Sequence, residues 1–170
     1  MLETMVAAGT RFPGYQLLVA GVSNLDPQLY EPYSRLPGVK VIFDSTYDIL
    51  HLADAALVTS GTATLETALL NVPEVVCYRT SAASYALAKR LIKVPYISLV
   101  NLIAGKEIVR ELIQHGFNAV AVSEALQEIL PGGSRREQML AEYAELRTLV
   151  GPAGASEKAG SRMVERISGS

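Results

Sequence analysis

The stretch Leu57-Val58-Thr59-Ser60-Gly61-Thr62-Ala63-Thr64-Leu65-Glu66 holds residues well suited to chemistry. An apolar run ends in small hydroxyl residues and a glycine, and a helical pattern starts at once. A strand that ends this way and feeds a helix leaves unpaired amide N–H groups at the carboxyl edge of a sheet. Phosphate groups bind at such an edge, drawn by the helix macrodipole. Gly61 lets the backbone approach a ligand closely, and the hydroxyls of Ser60, Thr62 and Thr64 add donors. Thr62 and Glu66, four residues apart, share a helix face that looks back toward the loop, while Leu65, Ala68, Leu69 and Val72 make the buried stripe. A carboxylate in contact with a diphosphate would repel it, but one turn away Glu66 can accept hydrogen bonds from a ribose. A capped helix with a solvated glutamate explains the same letters. A serine nucleophile does not: no Gly-x-Ser-x-Gly elbow is present, and His51 and His115 are the only histidines.

Two further stretches carry candidate groups. In residues 97–114 an apolar run ends at Asn101, which the pattern places at the same carboxyl edge, able to donate and accept. A turn at Ala104-Gly105 and a helix over 106–114 follow. On that helix Glu107, Arg110 and Glu111 read as surface pairs. In residues 78–96, Arg79 lies just past a strand end and suits an anion contact. Lys89, Arg90 and Lys93 fall within about 100 degrees of one another on a helical wheel. Such a basic face fits anionic lipid headgroups, or simply solvent. No His, Asp and Glu cluster has metal-ligand spacing.

The elements that must position these groups are legible as an alternation. Residues 15–21, 39–43, 55–60, 74–79 and 96–100 are short apolar runs bounded by Pro, Gly, Asn or Asp. Their near-continuous hydrophobicity marks parallel strands covered on both faces. Helical patterns occupy residues 2–9, 26–30, 47–53, 81–93, 106–114, 123–130, 134–150 and 156–167. Asp26-Pro27 opens the second, Ser45 with Asp48 caps the third, and Ser134 with Glu137 reads as a capping box. Strand–helix alternation of this kind means an α/β domain with a Rossmann-like, doubly wound parallel sheet. A lobe over 1–130 would be followed by C-terminal helices and a polar tail over 131–170. The chain opens on a helix-like segment rather than a strand, as if its first strand were missing.

Composition narrows the function classes. With 170 residues, 49% hydrophobic and 19% charged, the chain can bury a proper core. A net charge of −2 argues against nucleic-acid binding, which needs a basic excess. The single cysteine, Cys77, excludes a disulfide framework and a cysteine zinc site and fits a reducing cytoplasm. No stretch reaches the roughly 20 apolar residues of a membrane span. The opening residues, with an acid at Glu3, do not read as a signal peptide. A soluble chain able to touch a membrane surface is the expectation.

The run Ser-Gly-Thr-x-x-x-Glu, then Tyr-Arg, Lys-Arg, Tyr-x-Ser-Leu-x-Asn-Leu and Ala-Gly-Lys-Glu resembles the lipid-A-disaccharide synthases over roughly residues 12–130. These are bacterial GT-B glycosyltransferases of family 19, built from two Rossmann-like domains. The resemblance implies transfer of 2,3-diacylglucosamine from UDP-2,3-diacylglucosamine to 2,3-diacylglucosamine 1-phosphate, with release of UDP. It also implies work in the cytoplasm, peripheral at the inner-membrane surface of a Gram-negative bacterium, with no cofactor and no metal. Carried over, Ser60, Gly61 and Thr62 would face the diphosphate and Glu66 would hold the ribose. Asn101 would lie in the nucleotide cleft and Arg79 would be a further substrate contact, while the basic face of Lys89, Arg90 and Lys93, read from its spacing, is expected to face the membrane. The family's acidic base lies in an N-terminal acceptor domain, which has no match here, so the chain looks like most of one lobe and is expected to be inactive alone. Its last helix would cross to the other lobe or pair with a second chain in a homodimer. Alternatives are another GT-B-type enzyme, such as a UDP-N-acetylglucosamine 2-epimerase or the murein glycosyltransferase, and a non-catalytic nucleotide-sugar-binding or interaction module. The first two share the Ser-Gly and Glu pattern but not Tyr-x-Ser-Leu-x-Asn-Leu.

Overall fold

A computed structural model describes residues 1–59, 61–81 and 95–151. Five parallel strands form two sheets within them. β1 (Leu17–Gly21) pairs with β2 (Val39–Phe43), in a register that sets Leu17 opposite Val39 and Gly21 opposite Phe43. β3 (Ala56–Val58), β4 (Glu74–Tyr78) and β5 (Arg110–Ile113) form the second sheet, with β4 in the middle. A mixed α/β architecture with parallel strands thus follows the expected class. Four of the five expected strands form, and β2 matches its apolar run residue for residue. The coverage is uneven: Glu74 to Cys77 of β4 are buried, whereas β1 and β2 are mostly half-buried.

The helices set the strand ends in place. α1 (Leu2–Gly9) comes first, and a 3-10 turn (Pro27–Leu29) leads into α2 (Glu31–Ser34) between β1 and β2. Asp26 caps that turn by accepting the Gln28 N–H at 2.9 Å. α3 (Thr46–Leu52) joins β2 to β3, and α4 (Thr62–Leu69) joins β3 to β4. α5 (Leu99–Ala104), α6 (Ala119–Ile129) and α7 (Arg136–Val150) complete the described part. One buried cluster draws on all of these layers: Val75, Val76 and Cys77 of β4, Val100 of α5, Val122 and Ile129 of α6, and Met139, Tyr143 and Leu146 of α7.

The sequence expectation fails over residues 96–114. The expected strand at 96–100 is instead the entry to α5, where the Ser98 hydroxyl accepts the Asn101 N–H at 3.2 Å as an N-cap. Gly105, at φ +67°, closes that helix in the left-handed conformation that glycine tolerates. The expected helix at 106–114 is instead the approach to β5 and the strand itself, pairing Val75 with Arg110 and Tyr78 with Ile113. Ile108, Val109, Leu112 and Ile113 suit one helix face as well as a strand. Pairing decides, because a helix there would leave the N–H and C=O groups along one side of β4 without a ladder.

Smaller differences lie at the caps. α6 starts four residues before the expected 123, at Ala119, because Asn118 accepts the Ala121 N–H at 3.0 Å. Neither Ser45 nor the Ser134–Glu137 box makes a side-chain cap bond. α3 starts uncapped after Ser45, and α7 starts after Arg135, whose guanidinium donates to Gln138 at 2.6 Å. Ser60, the helix expected at 81–93 with Lys89, Arg90 and Lys93, and the stretch 156–167 lie outside the described residues, apart from Ser81.

Candidate functional site

The carboxyl ends of β2, β3 and β4 are followed by Asp44, Thr59 and Arg79, and the candidate groups gather around these ends. Gly61 sits at φ +126°, ψ −161°, a region that is essentially open to glycine alone. Among the described residues beyond its chain neighbours, no heavy atom lies within 4 Å of where a β-carbon would be, so the constraint at Gly61 is its backbone conformation. Gly61 is the residue before α4, and among the described residues no side chain caps the helix. The Thr64 N–H donates to the Gly61 carbonyl at 3.3 Å, and the N–H groups of Thr62 and Ala63 ahead of it are left for another acceptor, with the positive end of the helix dipole behind them. Thr62 is exposed, and its hydroxyl makes no hydrogen bond among the described residues.

Thr64 departs from expectation. It is buried, and its hydroxyl donates to the Gly61 carbonyl at 2.8 Å, closing the turn rather than offering a donor to a ligand. Thr67 does the same one turn on, donating to Ala63 at 2.8 Å. The Thr64 bond ties the turn to the helix, whereas the Thr67 bond lies within the helix itself.

Glu66 is exposed one turn into α4, on the face expected. The hydroxyl of Tyr47, in the first turn of α3, donates to its Oε2 at 2.8 Å. That bond and the neighbouring negative charge raise the Tyr47 pKa. The contact spans 19 positions of sequence and has no local signature, so sequence reasoning missed it. The same edge is pinned between β1 and β2, where Asp44 accepts the Ser23 N–H at 3.1 Å. Tyr30 meets Phe43 edge-on, with ring centroids 5.3 Å apart.

Arg79 is exposed past the end of β4, but its guanidinium is already occupied. It lies over the Phe117 ring, 5.0 Å from the centroid, and donates to the Phe117 carbonyl. Its charge stays at the sheet edge while its direction is set by Phe117.

Asn101 does not open onto a cleft. It is 0% exposed, and its amide is fully engaged. Nδ2 donates to the Val109 carbonyl at 2.8 Å and to Glu111 Oε1 at 3.0 Å, while Oδ1 accepts the N–H groups of Ile108 at 2.7 Å and Val109 at 3.0 Å. Glu111, read from sequence as a surface residue, is the hub of this network. Its carboxylate also accepts the Ser98 N–H at 3.0 Å, the Ser98 hydroxyl at 2.8 Å and the Ile97 N–H at 2.9 Å. The available signal was Ser98 seven residues before Gly105, a helix start and stop at the right separation. Arg110 instead reaches Glu128 of α6, at 3.6 Å.

The structure thus brings Gly61, Thr62 and Glu66 together with Tyr47, sets Arg79 at the end of the neighbouring strand, and gives Asn101 to the support of α5, which packs against α4. Cys77 is buried in β4 and its thiol is pushed up to about 12, so it is no nucleophile at neutral pH. Among the described residues, no group of three or more His, Cys, Asp or Glu side chains is placed to hold a metal ion. No described helix is long and apolar enough to cross a membrane.

Parallel strands joined through helices, with an uncapped glycine turn at the strand ends, define a Rossmann-like lobe of the GT-B kind. The family profile described as "Lipid-A-disaccharide synthetase" matches residues 3–161. A lipid-A-disaccharide synthase of Syntrophus aciditrophicus is 46% identical over 123 residues, covering 72% of this chain and 32% of the relative. Those of Geobacter metallireducens and Myxococcus xanthus are 32% and 34% identical over 98% of this chain, covering 44% and 45% of their own lengths. The chain belongs to the lipid-A-disaccharide synthase family, and it spans less than half the length of these relatives.

Proposed function

We propose that this chain forms the UDP-binding lobe of a lipid-A-disaccharide synthase. That glycosyltransferase moves 2,3-diacylglucosamine from UDP to 2,3-diacylglucosamine 1-phosphate and so forms the disaccharide of lipid A. The observation that carries the reading is the Gly61 turn before α4, uncapped among the described residues and one turn from an exposed carboxylate. The diphosphate would accept hydrogen bonds from the first N–H groups of α4 and from the hydroxyls of Ser60 and Thr62. Glu66, too far along the helix to meet the phosphates, would accept from a ribose hydroxyl. Arg79 would add positive potential from the next strand end, where negative charge builds on the leaving UDP. Asn101 would act indirectly, by holding α5 against α4. Because donor and acceptor both carry acyl chains, the work would be done at the cytoplasmic surface of the inner membrane.

The test is a calorimetric titration of the chain with UDP. Wild-type protein is expected to bind, and Glu66→Ala is expected to weaken binding about tenfold, as loss of a hydrogen-bonded charge does. Absence of UDP binding by the wild type would overturn the assignment.

A further inference from the structure

Tyr47 stands outside every motif of the sequence, yet it is the described side chain that holds Glu66. Its phenol is on α3, which begins just past the end of β2, and its partner is on α4, which begins just past the end of β3. The 2.8 Å hydrogen bond therefore ties two helix starts together across the carboxyl edge of the strands. Tyr47 is 56% exposed, so burial does not explain its place. Glu66 is exposed as well, and an exposed glutamate on a helix otherwise samples several rotamers. The phenol donates to Oε2 alone, which leaves Oε1 free to accept from a ligand.

We propose that Tyr47 is a positioning residue for nucleotide binding, orienting the Glu66 carboxylate so that Oε1 meets a ribose hydroxyl. This rests on the assignment of Glu66 to the ribose. Tyr47 restricts the carboxylate before the ligand arrives, so less ordering remains to be done on binding. The phenol also withdraws one oxygen from competition, which favours a single acceptor geometry toward a vicinal diol. Its ring need not touch the nucleotide for this.

The experiment compares UDP with 2′,3′-dideoxy-UDP on wild type, Tyr47→Phe, Glu66→Ala and the double variant, with thermal unfolding alongside. Tyr47→Phe keeps the ring and removes only the hydroxyl. It is expected to raise the Kd for UDP about three- to tenfold while leaving the Kd for the dideoxy nucleotide and the Tm unchanged. In the Glu66→Ala background the same substitution is expected to have no effect. Equal weakening of both nucleotides would make Tyr47 a merely structural residue and overturn the proposal. So would an unchanged Kd for UDP in Tyr47→Phe while Glu66→Ala still weakens it. If Glu66→Ala binds UDP as the wild type does, the ribose assignment itself fails, and the role of Tyr47 falls with it.

Discussion

Glu74 begins β4 with 0% exposure, and neither carboxylate oxygen has a hydrogen-bond partner among the described residues. Nothing in the site requires it, and its effect is on stability. Burial raises its pKa well above the usual 4.5, so the folded chain holds the proton where the unfolded chain releases it. Tyr143 of α7 faces it, its own pKa raised by burial first and by the Glu74 charge second. Glu74 also lines a cavity of about 320 Å³ together with Glu107, Arg110, Glu128 and Arg135. The sign follows from linkage. Above about pH 4.5 the unfolded state binds fewer protons than the folded one, so stability falls as pH rises and levels off beyond the folded pKa. Each unit of separation is worth about 1.4 kcal/mol, or roughly 3–5 °C in a chain of this size. Glu74→Gln keeps the shape and removes the titration. It is expected to melt above the wild type at pH 8 and alongside it near pH 4, measured by thermal unfolding across that range. A constant difference at all pH values would show that Glu74 does not change protonation on unfolding. Glu74 carries no local signal of an unpartnered buried carboxyl, because it is simply the first residue of an otherwise apolar run.

At the scale of elements, the region 95–113 shows how far local pattern reaches. Strands β1 to β4 were legible because each is a short apolar run between turn residues. The tail of the site motif was legible because glycine at φ +126° has few substitutes. The stretch from Ile97 to Ile113 was not, because its apolar spacing fits either period and the deciding partners, β4 and Glu111, are fixed only in three dimensions. Asn101 and Glu111 stitch α5 to the approach of β5, and the prediction belongs to that stitch. Asn101→Ala would strand the buried N–H groups of Ile108 and Val109 and the Val109 carbonyl, each an uncompensated group costing about 1–3 kcal/mol. Partial relaxation lowers the sum, and a loss of about 3 kcal/mol is expected, read as a lower urea midpoint with an unchanged m-value. A stability within about 0.5 kcal/mol of wild type would mean that the network is dispensable for folding. UDP affinity measured on the folded fraction separates support from contact, and it is expected to fall less than in Glu66→Ala.

For the whole molecule, the candidate groups and the architecture point to a division of labour. Glycosyl transfer needs a base for the acceptor hydroxyl and a clamp for the departing nucleotide. The proposed site would supply donors for the clamp at the start of α4, with Arg79 near the next strand end. Asp44 and Glu66 each accept one hydrogen bond within the lobe, from the Ser23 N–H and the Tyr47 hydroxyl, and the other oxygen of Glu66 is proposed to meet the ribose rather than an acceptor hydroxyl. The relatives are more than twice as long as the part this chain matches, leaving room for an acceptor-side partner in them. The expectation is therefore that the 170-residue chain binds UDP and makes no disaccharide when given both lipid substrates, as read by mass spectrometry of the products. Binding and turnover then part company: Glu66→Ala weakens the first, and no substitution within the chain restores the second. Disaccharide formation by the chain alone, at a rate comparable to a full-length relative, would place the base within these residues. The most direct place to look would then be Asp44 and Glu66 at the strand ends, because a base must reach the acceptor hydroxyl beside the same departing phosphate.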